Sequence, residues 1–207
     1  MSGTVTSGTA ASGYRVGLAD LVTRWRNMVS DSAGSAWNDA EVQVILDSYR
    51  VDLYRAQLSP VPANIGGTTQ YLTHLVGYGD LETVASGTAY WQVWDANGSA
   101  IGTASYSADY QTGVVTFAAD TKGSVLYLDA RSFDLNGAAA HGWREWAAAK
   151  ASLYKFSADG ASYDRNQWFD HCMAMAAHYD RMATTGAASM SVGHMFRSDV
   201  NITTMEW

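Results

Sequence analysis

Apolar residues in the first part of the chain recur at helical spacing. A first helix is predicted from the positions Leu18, Leu21, Val22, Trp25, Met28 and Val29. A second helix is predicted to begin at Asp39, because Asn38 and Glu41 have the spacing of a capping box. We interpret its apolar stripe as Val42, Ile45, Leu46, Tyr49, Leu53 and Ala56. Pro60 then ends the helix, since proline disfavours helical geometry in the preceding residue.

Helical spacing returns near the end of the chain. Asp134 is a plausible N-cap for a third helix, whose predicted face is Leu135, Ala138, Gly142, Trp146, Ala149, Leu153 and Phe156. The small residues on this helix favour a close helix–helix contact. After a predicted turn at 157–160, a fourth helix opens with Asp164 as cap and Gln167 at the capping-box position. It is predicted to end near Gly186.

Between these flanks the chain is typical of β structure. Short runs of β-branched and aromatic residues lie at 71–76, 89–94, 101–106, 114–117 and 125–128. Turn signals separate them, including Asp95-Ala96-Asn97-Gly98. The spacing predicts five or six strands in a small antiparallel sandwich or barrel.

The predicted fold is therefore α+β: an antiparallel four-helix bundle with an inserted β-sandwich or barrel domain and an extended C-terminal arm. Residues 1–13 are expected to be a flexible tail. Residues 14–64 and 131–186 are assigned to the bundle core, and residues 65–130 to the inserted domain. Residues 187–207 form the arm.

The predicted arm is apolar but has no helical stripe, so we expect it to be covered by protein. One interpretation is a strand folded back on its own domain. The other is an arm docked on a neighbouring chain. On the second interpretation the partner-binding residues are Met190, Val192, Met195, Phe196, Arg197, Asp199, Val200, Ile202 and Trp207.

Composition and charge exclude several classes of protein. With 47% hydrophobic residues and eight Trp in 207 positions, the chain is too apolar for intrinsic disorder. The lone Cys172 excludes an intramolecular disulfide. No apolar run is long enough for a membrane span, and the first residues do not resemble a secretion signal. A net charge of −7 argues against a protein that grips nucleic acid, and residues 65–130 contain only Lys122 as a cation.

Candidate chemistry is sparse. His171 and His178 lie seven positions apart, which does not match the four-residue spacing of the helical zinc motif. Cys172 falls on the apolar stripe of the fourth helix, so we interpret it as a buried hydrophobe. No nucleophile elbow, phosphate-binding loop or dinucleotide fingerprint is present. The sequence therefore predicts no catalytic residue, metal ligand or cofactor, and a protein that is not an enzyme.

Aromatic residues of the middle segment allow an alternative function. Rings at Tyr90, Trp91, Trp94, Tyr106 and Tyr110 could line a sugar-binding face, with Trp91 or Trp94 as the stacking platform. Small β domains fill their cores with the same residues. A carbohydrate-binding module is the alternative hypothesis.

Several segments together resemble one known protein family. They are Trp37–Glu41 followed by Val44–Asp47, Asp134–Ala140 with Trp143, Ala147–Lys150, Phe156–Gly160 leading into Tyr163–Gln167, and the closing Phe196–Val200. In these segments the chain resembles head-to-tail adaptor (connector) proteins of long-tailed bacteriophages, and the first two are similar to the first core helices of that family.

The resemblance implies a structural role in the virion neck. Such proteins form a homo-oligomeric, usually dodecameric, ring that binds the portal protein above and a tail-side neck or tail-terminator protein below. The genomic DNA passes through the ring without sequence-specific binding. The resemblance also implies assembly in the host cytoplasm, no membrane association, and a β insertion that decorates the helical scheme.

Overall fold

The computed structural model describes residues 15–83, 90–151, 156–158, 161–163 and 166–186. Within these ranges the protein has mixed α/β structure, with four helices and nine strands. The helices are α1 (Ala19–Met28), α2 (Asp39–Ser48), α3 (Leu135–Ala151) and α4 (Asn166–Gly186). The strands are β1 (Arg50–Ile65), β2 (Thr68–Leu75), β3 (Gln92–Trp94), β4 (Ala100–Ile101), β5 (Tyr106–Asp109), β6 (Val114–Phe117), β7 (Leu126–Phe133), β8 (Phe156–Ala158) and β9 (Ala161–Tyr163).

Seven strands form one curled antiparallel sheet, a half-barrel with the order β4-β3-β7-β1-β2-β6-β5. The long strand β1 lies at its centre. Its first half, Arg50–Leu58, pairs with β7, and its second half, Ser59–Ile65, pairs with β2. Strand β1 therefore joins the two sides of the sheet. Strands β8 and β9 pair only with each other.

The predicted four-helix bundle is wrong. Helix α2 ends at Ser48, and Leu53 and Ala56, which the sequence analysis placed on its apolar stripe, lie in β1. A β-bulge between these two residues shifts the pairing with β7 by one position. The extra residue lets Leu53 and Leu58 both face the core although they are five positions apart. A bulged strand thus produced spacing that imitates a helix.

The predicted sandwich or barrel of residues 65–130 is also corrected. Strands β1 to β7 form a single sheet that begins at Arg50 and ends at Phe133, so it includes both halves of β1. The turn at Asp95–Gly98 is confirmed as the connection of β3 and β4, where the Gly98 N–H donates to the Asp95 carbonyl at 3.0 Å. Helix α3 ends at Ala151, and Phe156, assigned to it from the sequence, lies in β8.

Local signals at the starts of α2 and α3 are confirmed, whereas Asp164, the predicted cap of the fourth helix, lies outside the described residues. The Glu41 N–H donates to Asn38 Oδ1 at 3.0 Å, and the Asn38 N–H donates to Glu41 Oε2 at 2.8 Å, which completes the predicted capping box. Asp134 Oδ1 accepts the Gly137 N–H at 3.0 Å at the start of α3. These interactions lie within one helical turn, so the sequence alone specifies them.

The described residues form two apolar cores, one among the helices and one under the sheet. In the helical core α1 and α3 approach closely at Gly142. A Cβ atom at that position would lie 2.7 Å from Trp25 Cζ2 and 3.0 Å from Val29 Cγ1. The close contact predicted from the small residues of α3 is therefore present at Gly142.

Candidate interaction surfaces

Helix α4 exposes an apolar face near its N-terminal end. Trp168, Phe169 and Met173 are 46%, 37% and 42% exposed. Only Cys172 and Ala176 of the described α4 side chains are buried, and both belong to the helical core. Trp, Phe and Met are enriched at the centres of protein interfaces, where their large side chains bury much apolar area. These three exposed side chains, which we call the α4 face, flank the buried Cys172 at the start of α4.

Contacts with α3 hold the α4 face outward. The rings of Trp143 and His171 meet edge to face, with centroids 5.7 Å apart. Arg144 forms an ion pair with Asp180 two turns further along α4. His171 also packs at 5.6 Å against the ring of Trp168, which orients the indole beside the α3 contact. Packing on α3 therefore fixes α4 in an orientation that leaves the α4 face in solvent.

The nine partner-binding residues predicted in the arm lie outside the described residues. They are Met190, Val192, Met195, Phe196, Arg197, Asp199, Val200, Ile202 and Trp207. Their part in binding stays a prediction. The arm begins directly after α4 ends at Gly186, so the α4 face and the arm belong to one continuous stretch of chain.

The outer face of the sheet carries a second, smaller cluster around Arg55. Arg55 has φ = 50°, an uncommon value for a residue other than glycine. Asp129 supports this conformation, because its Oδ1 accepts the Arg55 N–H at 2.6 Å and its Oδ2 accepts the Trp94 Nε1–H at 2.8 Å. The guanidinium carbon of Arg55 lies 3.8 Å from the centre of the Trp94 ring. One face of Trp94 is thus covered by a cation.

A shallow depression of about 300 Å³ lies next to this cluster. Its lining includes Tyr54, which is 81% exposed, and Tyr90, which is 43% exposed. The guanidinium of Arg131 lies 3.1 Å from the centre of the Tyr90 ring, and Asp52 accepts from Arg131 Nε at 3.2 Å. The depression therefore combines one open aromatic ring with a charged pair.

Other members of the predicted sugar-binding cluster belong to the sheet core. Trp91 is 5% exposed, and its Nε1–H donates to the Tyr106 hydroxyl at 3.1 Å. The Trp91 and Tyr110 rings meet edge to face at 4.8 Å. Tyr106 and Tyr110 pack against the same core. Trp91 is consequently no open stacking platform, whereas Trp94 lies on the outer face.

Arginines of the described residues are engaged within the chain. Three of them alternate with three carboxylates in a closed ring at the junction of helices and sheet: Arg15, Asp47, Arg50, Asp52, Arg131 and Glu82. The others contact Asp20 and Asp80 (Arg24), Asp31 and Asp39 (Arg26), Trp94 (Arg55), Asp180 (Arg144) and the Ala177 carbonyl (Arg181). These cations stabilise the fold, and a phosphate would have to compete with their partners.

The described histidines and Cys172 show no arrangement for metal binding. Within the described ranges no group of three or more His, Cys, Asp or Glu side chains could hold a metal ion. His171 packs between Trp143 and Trp168, and His178 packs against Tyr179. Cys172 is fully buried, as its place on the apolar stripe predicted. None of the described helices has the length and apolar character needed to cross a membrane.

Sequence reasoning missed Tyr54, Arg55 and Phe169. The first two were assigned to a helix, so their position on an outer sheet face could not be anticipated. A signal was present in β7, where buried and outward residues alternate from Leu126 to Arg131. Phe169 lies next to the predicted stripe of α4, and its exposure depends on how α4 packs on α3.

Comparisons with known proteins give no assignment. The chain matches no protein-family model, no curated protein and no solved structure.

Proposed function

We propose that the protein is a structural subunit of the neck of a long-tailed bacteriophage virion. It acts as a head-to-tail adaptor that forms a homo-oligomeric ring between the portal protein and a tail-side neck or tail-terminator protein. The ring extends the channel through which genomic DNA passes. The subunit performs no chemical reaction and is incorporated into the virion in the host cytoplasm.

The α4 face carries this proposal. Exposed Trp168, Phe169 and Met173 form an apolar surface of the residue types that dominate binding energy at protein interfaces. The face lies on the helix that leads directly into the apolar arm. A ring subunit needs such surface, because each copy has two different contacts with its neighbours. The sequence resemblance to adaptor proteins supplies the kind of assembly.

The distribution of charge supports a channel through which DNA passes without tight binding. Tight binding to DNA depends on Lys and Arg side chains that neutralise phosphates. Here the described arginines already have partners within the chain, and the net charge is −7. A channel wall of this character lets DNA slide, because few cations are available to hold it.

Association with the portal tests the proposal. The chain and the portal protein of the same phage are co-expressed, and the mass of the complex is measured by light scattering. We expect a ring complex with the wild type and its loss with Trp168→Ala/Met173→Ala or with deletion of 189–207. Arg181→Ala, an exposed change on the same helix, should bind normally. Folded variants that still form the full complex would contradict the role of these surfaces.

A carbohydrate-binding module remains the second candidate. Exposed Tyr54 beside Asp52 and Arg131 favours it, because an aromatic ring with neighbouring polar groups suits a sugar. Glycan-array binding that is lost in Tyr54→Ala and in Trp94→Ala would support this function. No binding to any host polysaccharide would exclude it. We prefer the adaptor because the Arg55 guanidinium covers one face of Trp94, so that face is not open for stacking on a sugar.

A further inference from the structure

Arg55 lies in the β-bulge of β1 with a backbone conformation that arginine seldom adopts. Its φ of 50° is in the left-handed region, and the bulge between Leu53 and Ala56 gives β1 one residue more than β7 at this point. Asp129 of β7 holds the backbone there, because its Oδ1 accepts the Arg55 N–H at 2.6 Å. Backbone outliers that the surrounding structure fixes in this way are concentrated at functional sites. The bulge and Asp129 together fix the position from which the Arg55 side chain extends.

The guanidinium of Arg55 is oriented, yet its donors have no acceptor. Its carbon lies 3.8 Å from the centre of the Trp94 ring, and Asp129 Oδ2 fixes that ring by accepting the indole N–H at 2.8 Å. Among the described residues no oxygen accepts a hydrogen bond from this guanidinium. All other described arginines contact a carboxylate or, in the case of Arg181, a backbone carbonyl. Arg55 thus presents a planar, pre-oriented set of N–H donors.

Arg55 lines a depression of about 320 Å³ between the β3–β4 turn and the outer face of the sheet, together with Asp95, Asn97 and Tyr127. Asp95 Oδ1 accepts the N–H groups of Asn97 and Ser99 at 2.9 and 2.7 Å, which shapes the turn. In the described part of the chain, Asp95 Oδ2, the Asn97 carboxamide and the Tyr127 hydroxyl have no hydrogen-bond partner. A guanidinium, a carboxylate oxygen, an amide and a phenol therefore border one small space with their hydrogen bonds unused.

This combination of groups suits a neutral sugar ring. Neighbouring hydroxyls of a pyranose both donate and accept, so they can bind the guanidinium donors and the carboxylate acceptor at the same time. Hydrogen bonds between a charged group and a hydroxyl are stronger than those between two neutral groups. An anion fits less well, because the negative charges of Asp95 and Asp129 beside Arg55 outnumber its single positive charge. A cation would meet the Arg55 guanidinium directly.

We infer that the depression bordered by Arg55, Asp95, Asn97 and Tyr127 is a binding site for one neutral pyranose unit of a glycan. Hydrogen bonds hold the sugar, since Arg55 covers the face of Trp94 on which a sugar would stack. The site goes beyond the neck assignment, which requires no ligand on the sheet. It is also separate from the depression beside Tyr54, where the second candidate function places the sugar.

Titration of the full chain with sugars tests the inference. We record ¹H–¹⁵N spectra with glucose, galactose, mannose and N-acetylglucosamine, each up to its solubility limit, and with glucuronate and inorganic phosphate as anionic probes. The Trp94 indole N–H reports on the site, because the Arg55 guanidinium lies over its ring, and its resonance is assigned by its loss in Trp94→Phe. We expect at least one neutral sugar to shift this resonance saturably and both anions to bind more weakly.

Matched variants locate the bound sugar. Arg55→Gly removes the guanidinium and keeps the bulge, because glycine adopts a φ of 50° without strain. Asp95→Asn keeps an acceptor for the turn N–H groups and removes the carboxylate charge. Each variant should weaken sugar binding about tenfold or more, as expected for loss of a hydrogen bond to a charged group. Tyr54→Ala, in the neighbouring depression, is the control and should bind the sugar as the wild type does.

Three results would overturn the inference. The first is the absence of a saturable shift with every neutral sugar, and the second is tighter binding of glucuronate or phosphate than of any sugar. The third is loss of sugar binding in Tyr54→Ala but not in Arg55→Gly, which would place the sugar in the other depression. Failure of this site is distinct from failure of the neck proposal, because that proposal is measured by portal association, which these titrations do not involve.

Discussion

Arg15 reaches Glu82 across 67 positions of sequence and joins the start of the helical region to the sheet. Its Nε donates to Glu82 Oε1 at 3.0 Å, and its two terminal nitrogens donate to Asp47 at 2.9 and 2.6 Å. Glu82 is only 4% exposed, so its charge depends on this arginine and on Arg131 at 3.6 Å. The hydrogen bond to Asp47, together with the charges of Glu82 and Asp47, raises the pKa of the Arg15 guanidinium. Through Asp47 of α2 and through Glu82, which contacts Arg131 of β7, Arg15 links the helices to the sheet.

Removal of Arg15 should weaken the whole fold. We expect Arg15→Ala to lower the free energy of unfolding by about 2 kcal/mol, because buried Glu82 loses its closest partner. Urea denaturation followed by circular dichroism measures the change. Arg144→Ala breaks an ion pair whose side chains are almost half exposed, so it should cost less than about 1 kcal/mol. Equal losses in the two variants would show that the ring of charges is unimportant.

Gly142 permits the close approach of α1 and α3. We expect Gly142→Ala to be destabilising by about 1 kcal/mol, since overpacking against Trp25 outweighs the better helix propensity of alanine. Ala148→Gly on the exposed side of α3 measures the propensity effect alone and should also cost about 1 kcal/mol. Thermal unfolding of both variants measures the two changes in stability. A stabilised Gly142→Ala protein would mean that the helices separate without penalty.

Acid should destabilise the sheet through His74. This side chain is fully buried beside Phe117, and burial lowers the pKa of its imidazole from the ordinary 6.5. The unfolded chain therefore binds the proton more readily, so stability is full above pH 6.5 and falls as the pH drops below it. Denaturation series between pH 5 and pH 8 should show this slope, and His74→Phe should flatten it. A wild-type curve as flat as that of the variant would contradict the account.

Cys172 should be unreactive in the native protein. It lies on α4 and is fully buried in the helical core, so Ellman's reagent should modify it only as fast as the protein unfolds. Addition of urea should accelerate the reaction in parallel with unfolding. Rapid modification in native buffer would show that α4 separates readily from α3.

Local signals were predictable from the sequence, and long-range pairing was not. Asn38, Glu41 and Asp134 cap their helices through neighbours within one turn, and the sequence displays those neighbours. Whether Leu53 lies in a helix or in a strand depends on pairing with β7, more than 70 positions away. It also depends on a bulge that no local sequence pattern predicts. Helical spacing and bulged-strand spacing coincide over such a short run.

The candidate surfaces were predictable only in part. The sequence correctly placed Cys172 in the core, but it did not show that Trp168, one turn earlier on α4, is exposed. Exposure at that end depends on the orientation of α4 on α3. Likewise the sequence could name Trp91 and Trp94 as aromatic candidates, but which of them faces outward is set by the register of β3 against β7.

The position of the protein in the virion tests the central claim most directly. Purified particles are labelled with gold-conjugated antibody against the chain and imaged by negative-stain electron microscopy. The account predicts gold at the neck, between head and tail, on intact particles, and tailless heads when the chain is absent. Labelling confined to tail fibres or capsid surface, or particles that are complete without the chain, would contradict it.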